Sequence, residues 1–208
     1  MDQAASDYRR EEILTATYTA LKKYGLASIS YDLIAKQAQT SRQLVRHYYP
    51  DAEALMVDVV ESFTEQYQSL VMHNVVSENA TQRLSTLMDF FLGSATEQNS
   101  PTASSSDSLF ALAVSSQRVR DAMHSTHQVL ADTFATELLF NYPILDLRTR
   151  TDIGFLFVAL QTGHWRLLSS LGFGQHYAST ARLAMEEIIV SYVKEAEARK
   201  AAGRKKHV

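Results

Sequence analysis

Between Ser30 and Leu55 the chain reads SYDLIAKQAQTSRQLVRHYYPDAEAL, and this stretch constrains the fold more than any other. Leu33, Ile34 and Ala38 give a first short helix an inward stripe at helical spacing. Gln39-Thr40 interrupts it, and Ser41 is a natural N-cap for the next helix, its hydroxyl placed to accept from an orphan backbone N–H. That next helix is too short to be stable alone. It carries Arg42, Gln43, Arg46 and His47, which at about 100° per residue fall within an arc of about 140°, with Val45 on the opposite side. A short packed helix showing arginines and an amide outward suits the major groove, where Arg pairs with guanine and Gln with adenine. The stretch reads as a helix-turn-helix reader of double-stranded DNA.

Individual roles follow from residue type. Arg42, Arg46 and His47 are expected at the DNA, whereas Gln43 reaches either a base edge or water and phosphate. The Tyr48 hydroxyl suits a phosphate, and Tyr49 is expected to pack inward beside Val45. Ser30 and Tyr31 start the preceding helix, so their hydroxyls and free N–H groups are candidates for holding a phosphate. Capping alone also accounts for Ser30. The competing interpretation of the whole set is an exposed polar helix in an ordinary bundle.

The same residues resemble the TetR-type transcriptional regulators over a frame from about Arg9 to Leu55. It includes a first helix with Ile13-Leu14 and Ala16 ending at Tyr24-Gly25, then Ser30, Ile34-Ala35, Ala38, Ser41, His47, Tyr48-Tyr49, Pro50 and Glu53-Ala54-Leu55. The rest of the chain is similar only in length and helical character. Three positions depart from the pattern. Gln39 stands where the turn glycine is usual, so the turn needs a conformation that a non-glycine can bear. Asp32 lies where a basic or neutral residue is frequent, and Ala52 replaces a lysine that often reaches a phosphate. The last two imply a weaker phosphate grip.

Charge does not advertise a nucleic-acid binder. The net charge is −3, and residues 1–55 hold seven Lys/Arg against seven Asp/Glu. A near-neutral DNA domain binds poorly as a monomer and depends on a second copy. Hydrophobic residues make up 46% of the chain, with seven Gly and three Pro, which favours a helical globular protein. The start, MDQAASDYRREE, has no apolar core of a secretory signal, and there is no cysteine, so a cytoplasmic location is expected.

Periodicity predicts an all-α chain: an N-terminal helix-turn-helix domain over 1–50 and a helical effector-binding and dimerisation domain over 51–208. Helices are expected at Asp7–Tyr24, Asp51–Met72, Thr81–Ala95, through Phe140, Leu147–Leu171 and Ser179–Arg199. Glu97–Ser108, with its proline and serines, reads as a surface loop. The basic end (Lys194, Arg199, Lys200, Arg204, Lys205, Lys206) is either a solvated helix terminus or a supplementary DNA or partner contact.

Two long apolar helices in succession exceed what one bundle face has to cover. Phe155, Leu156, Leu160, Leu167 and Leu171 lie on one, and Ala181, Ala184, Met185, Ile188, Ile189 and Tyr192 on the other. Pairing with symmetry mates makes a four-helix homodimer interface, which the family resemblance also implies. A small, mostly apolar effector is expected in the second domain, with Val60, Phe63, Tyr67, Met88, Phe91, Phe134 and Trp165 as its wall. Residue by residue these are ordinary core positions as well. Gln161 and His164 are the polar groups placed to orient a ligand, or they lie at a seam between subunits.

Asp121, His124 and His127 share a helix face at a spacing adequate for a metal, but the solvated side of an amphipathic helix is the favoured interpretation. No nucleophile elbow, phosphate loop or HExxH motif is present, so no enzyme, metal or cofactor is expected. The function expected is a homodimeric regulator, a repressor released from a palindromic operator by its effector. The alternative is a DNA-binding protein without a small-molecule effector, controlled by a protein partner.

Overall fold

A computed structural model describes residues 3–75, 79–93 and 103–204. The fold is all-α, with no strand among the described residues. The helices are α1 (Gln3–Tyr24), α2 (Tyr31–Gln37), α3 (Arg42–Tyr48), α4 (Ala52–Val75), α5 (Ala80–Leu92), α6 (Ala103–Ser115), α7 (Gln117–Asn141), α8 (Leu147–Trp165) and α9 (Thr180–Arg204). One π-helical turn, Arg166–Ser170, continues α8. None of the described helices is long and apolar enough to cross a membrane.

By packing, the chain divides into two units: 1–66 with 101–126, and 67–100 with 127–208. This division follows contact rather than role, and it is not a single cut, because α4 and α7 each contribute to both units.

In the first unit α1 packs on α2 and α6. Its buried face is Ile13, Ala16, Ala20 and Leu21, and Gly25 stops it at φ +71°, where a side chain is disfavoured. Tyr24, expected on that face, is instead 40% exposed, with the Lys23 ammonium 5.2 Å from its ring centre. Of the loop expected over Glu97–Ser108, residues 97–102 lie outside the described residues, and 103–108 instead form the first turns of α6. Serine costs a helix only a few tenths of a kcal/mol per residue relative to alanine. Burying Leu109 and Ala113 in the core offsets that.

The second unit is built on α5, α8, α9 and the C-terminal part of α7. Asn79 and Gln82 form a reciprocal capping box that starts α5. Leu84, Leu87, Met88 and Phe91 face inward as their spacing requires. Phe134 of α7 stacks flat on Phe157 of α8 at 4.0 Å, and Phe91 meets Phe157 edge-on at 5.8 Å. Polar links fix the helices around this ring cluster. Arg83 of α5 donates from Nε to both oxygens of the buried Glu137 on α7, at 3.0 and 3.1 Å. Arg182 of α9 reaches Asp89 and Ser85 of α5.

Where α7 crosses α8, Gly154 is required by proximity: a Cβ there would sit 2.5 Å from the Ala131 carbonyl oxygen. In an ordinary helix interior, Gly→Ala stabilises by up to about 1 kcal/mol. Here the sign is expected to reverse. Gly154→Ala should destabilise by about 1–3 kcal/mol, the usual effect of overpacking, read as a lower urea midpoint at unchanged slope.

Candidate nucleic-acid interface

The first unit builds its polar surface from two seven-residue helices. Ser30 caps α2 by accepting from the Leu33 N–H at 3.2 Å, and Ser41 caps α3 by accepting from the Leu44 N–H at 3.1 Å. Between them Gln39 adopts φ +50°, a left-handed conformation that costs a non-glycine residue about 1 kcal/mol or more. The Thr40 N–H closes the turn onto the Ala35 carbonyl at 2.9 Å.

Neither helix persists alone, so burial holds them. Val45 is fully buried beneath α3, as are Ile34 and Ala35 beneath α2. On the opposite side of α3, Arg42, Gln43, Arg46 and His47 are all exposed. Tyr48 is half-buried, its ring edge-on to His47 at 5.3 Å.

The end of α3 is locked by Tyr49, which is buried as expected. Its hydroxyl donates to Asp58 Oδ2 of α4 at 2.9 Å, and Arg10 of α1 donates to the same oxygen at 2.8 Å. The Arg10 guanidinium lies 4.8 Å from the centre of the Tyr49 ring. Burial, then the bond to the Asp58 carboxylate, pushes the phenol well above its ordinary range, so it remains a protonated donor. The same carboxylate raises the pKa of Arg10.

A second lock sits at the start of α4. Asp51 Oδ1 accepts from the Glu53 N–H at 2.9 Å. Arg118 of α7 donates to Asp51 at 2.5 Å and to Glu53 at 3.1 Å, and Ser116 also bonds Glu53. The Arg118 guanidinium holds the Asp51 carboxyl below its ordinary range.

The first turn of α2 serves the fold more than a free surface. The Tyr31 hydroxyl donates to the Tyr49 carbonyl at 2.9 Å, so its one proton is engaged inside the domain. Its ring supports Arg46, whose guanidinium lies 5.6 Å from the ring centre. Asp32 pairs with Arg42 at 3.1 Å. Sequence reasoning named the arginines but missed what holds them. The only signal was an acid ten residues before Arg42, on the far side of the turn. The links from Arg10 to Asp58 and from Arg118 to Asp51 span 48 and 67 residues and leave no local trace.

The expected effector wall is placed as follows. Val60 is buried in the core of the first unit, Met88, Phe91 and Phe134 lie in that of the second, and Trp165 is buried. The side chains of Phe63 and Tyr67 lie outside the described residues. Gln161 and His164 are buried. His164 Nε2 is 3.0 Å from the Gly93 carbonyl, and Trp165 Nε1 donates to the Phe91 carbonyl at 2.8 Å. Both side chains therefore fasten the end of α5 to α8. Among the described residues no cluster of three His, Asp or Glu is arranged for a metal, Asp121, His124 and His127 included.

No family model matches the chain. It is 27% identical over 84 residues to the HTH-type transcriptional regulator BetI of Escherichia coli. That match spans 39% of this chain and 43% of that protein's length. Solved structures agree over far more of the chain. A TetR transcription regulator from Haloarcula marismortui superposes with a TM-score of 0.76 at 18% identity, covering 89% of this chain and 98% of its own. A transcriptional regulator from Rhodococcus superposes with a TM-score of 0.71 at 15% identity, covering 89% and 96%. A Saccharomonospora viridis protein assigned to transcriptional regulation, solved in complex with choline, gives a TM-score of 0.69 at 14% identity, covering 88% and 96%. The fold is that of the TetR-type regulators.

Proposed function

We propose that the chain is a homodimeric, DNA-binding transcriptional regulator of the TetR type, acting in the cytoplasm as a repressor and not as an enzyme. One observation carries this reading: Arg42, Gln43, Arg46 and His47 stand exposed together on a short helix whose other side is buried. Burial of one face holds any short surface helix in place. A helix that enters the major groove needs it, because base edges are read only from a fixed position. Tyr48 and Ser30 are assigned to phosphate, and Tyr31 to carrying Arg46. The test is selection from a random duplex pool followed by titration of the enriched sequence. Arg46→Ala should cost about 1–3 kcal/mol and relax preference at one position of each half-site. Undiminished affinity and selectivity would remove α3 from the mechanism.

The second copy is assigned to α8 and α9. Met185 and Ile189 face their own core, but Phe155 is 69% exposed and Leu183 56%. Leu167, Leu171 and Val190 are exposed as well. Water is a poor partner for rings and branched chains over such an area, and a two-fold pairing covers it. The chain should be a dimer by light scattering at micromolar concentration. Phe155→Glu should make it monomeric and weaken binding to a palindromic site far more than to a half-site.

A small, mostly apolar effector held in the second unit is the proposed inducer. α4 begins four residues after α3 ends, so a tilt of α4 moves the recognition helices away from the separation of about 34–36 Å that successive major grooves require. The competing reading, a regulator answering a protein partner, is favoured by one feature. Phe91 and Phe134, two of the rings meant to line a cavity, both pack on Phe157, and His164 Nε2 and Trp165 Nε1 already meet backbone carbonyls. Screening small molecules by thermal shift separates the two. An effector should raise the melting temperature and lower operator affinity. A ligand that stabilises the protein yet leaves operator affinity unchanged would end the switch hypothesis.

A further inference from the structure

We propose that Asp32 is a positioning residue that sets how strictly this chain discriminates between DNA sequences, by holding Arg42 on the base-reading face and away from phosphates. The inference rests on the DNA-binding reading above. Arg42 is the first residue of α3 and Asp32 the second of α2, and their side chains meet across the turn, Nη1 to Oδ2 at 3.1 Å. Both are more than half exposed, so the pair lies on the surface that would meet DNA. The next residue back, Tyr31, carries the guanidinium of Arg46 on its ring. One turn of α2 thus supports both arginines.

An exposed ion pair shifts an equilibrium by only about fivefold at most. That is enough to matter when the two states compared differ in whether the pair survives. A guanidinium presents five N–H donors in a flat fork. With Nη1 on Asp32, the other edge remains open, and a guanine offers O6 and N7 side by side to receive it. The pair can therefore persist in a specific complex and aim the guanidinium.

A phosphate accepts the same fork bidentately, but it differs from a base edge in its full negative charge. It draws the whole guanidinium toward the backbone, breaking the pair and bringing the Asp32 carboxylate, unneutralised, beside a line of like charge. The cost falls on non-specific binding and is largely avoided at the right base pair. Asp32 thus makes binding weaker in general and more selective.

The experiment uses the full chain and purified duplexes. Random-pool selection with the wild type supplies its preferred site. Affinities for that site and for a scrambled duplex are then measured against salt for wild type, Asp32→Asn, Arg42→Ala and the double variant. Asp32→Asn is isosteric and exposed, and circular dichroism and melting confirm its fold. It should tighten binding to the scrambled duplex by about two- to fivefold. The preferred site should gain less, and selection with this variant should lose information at one base pair of each half-site. Its salt slope on scrambled DNA should steepen by about one. In the Arg42→Ala background the effect of Asp32→Asn on the ratio of the two affinities should vanish.

An unchanged ratio in Asp32→Asn, or a change that persists without Arg42, overturns the inference while leaving DNA binding intact. A wild type that enriches no sequence overturns the DNA-binding reading, and this inference with it.

Discussion

Every polar group of Tyr49 is bonded to a different part of the first unit, and the candidate interface depends on that one residue. Its N–H closes α3 onto the Val45 carbonyl at 2.8 Å, and its carbonyl accepts from Tyr31 of α2. The hydroxyl donates to Asp58 of α4, and the ring lies under Arg10 of α1. Four helices are tied through one buried ring. Nucleating a helix is unfavourable and seven residues recover too few bonds to offset it. The orientation of α3 is therefore a property of what lies beneath it, not of its own sequence.

The same logic explains why polar links collect at helix ends in both units. An end leaves carbonyls or N–H groups without intrahelical partners. At the end of α5 two of those carbonyls are met by Trp165 and His164. Asp146 Oδ1 accepts from the Thr149 N–H at the start of α8 at 2.8 Å, and Arg120 covers the Ala113 and Val114 carbonyls at the end of α6. At the start of α4, Asp51 caps the helix and also receives Arg118. Each bond is modest in net terms, about 1 kcal/mol, but those from Trp165, His164, Arg120 and Arg118 also fix one helix end against another. His164 and Trp165 illustrate the difficulty of reading such groups from sequence. A polar side chain in an apolar helix announces that it needs a partner, without saying whether that partner is a ligand or a carbonyl.

Much of the interface was legible because it depends on local rules. A period of 3.6 residues put Val45 under α3 and Arg42, Gln43, Arg46 and His47 outside it, and the serines at 30 and 41 announced two helix starts. The stripe of α5 was equally plain. What failed was local inference at places governed by distant partners. Tyr24 has the right spacing to be buried and is 40% exposed instead. The serines at 104–106 belong to a helix that local composition disfavours, carried by the burial of Leu109 and Ala113 further along. Asp32 looked like a weakness in a DNA-binding surface until its partner across the turn was placed.

By itself, the sequence determined the all-helical class, the two short helices and their capped starts, and the face that carries the arginines. These follow from periodicity, capping chemistry and composition, which act over a few residues. Only the tertiary structure decided which charges meet, how Gly154 admits the Ala131 carbonyl, and that Asp32 and Tyr31 hold the two arginines. Such pairings join residues from ten to nearly a hundred positions apart, where loop closure and packing, not local preference, choose the partner.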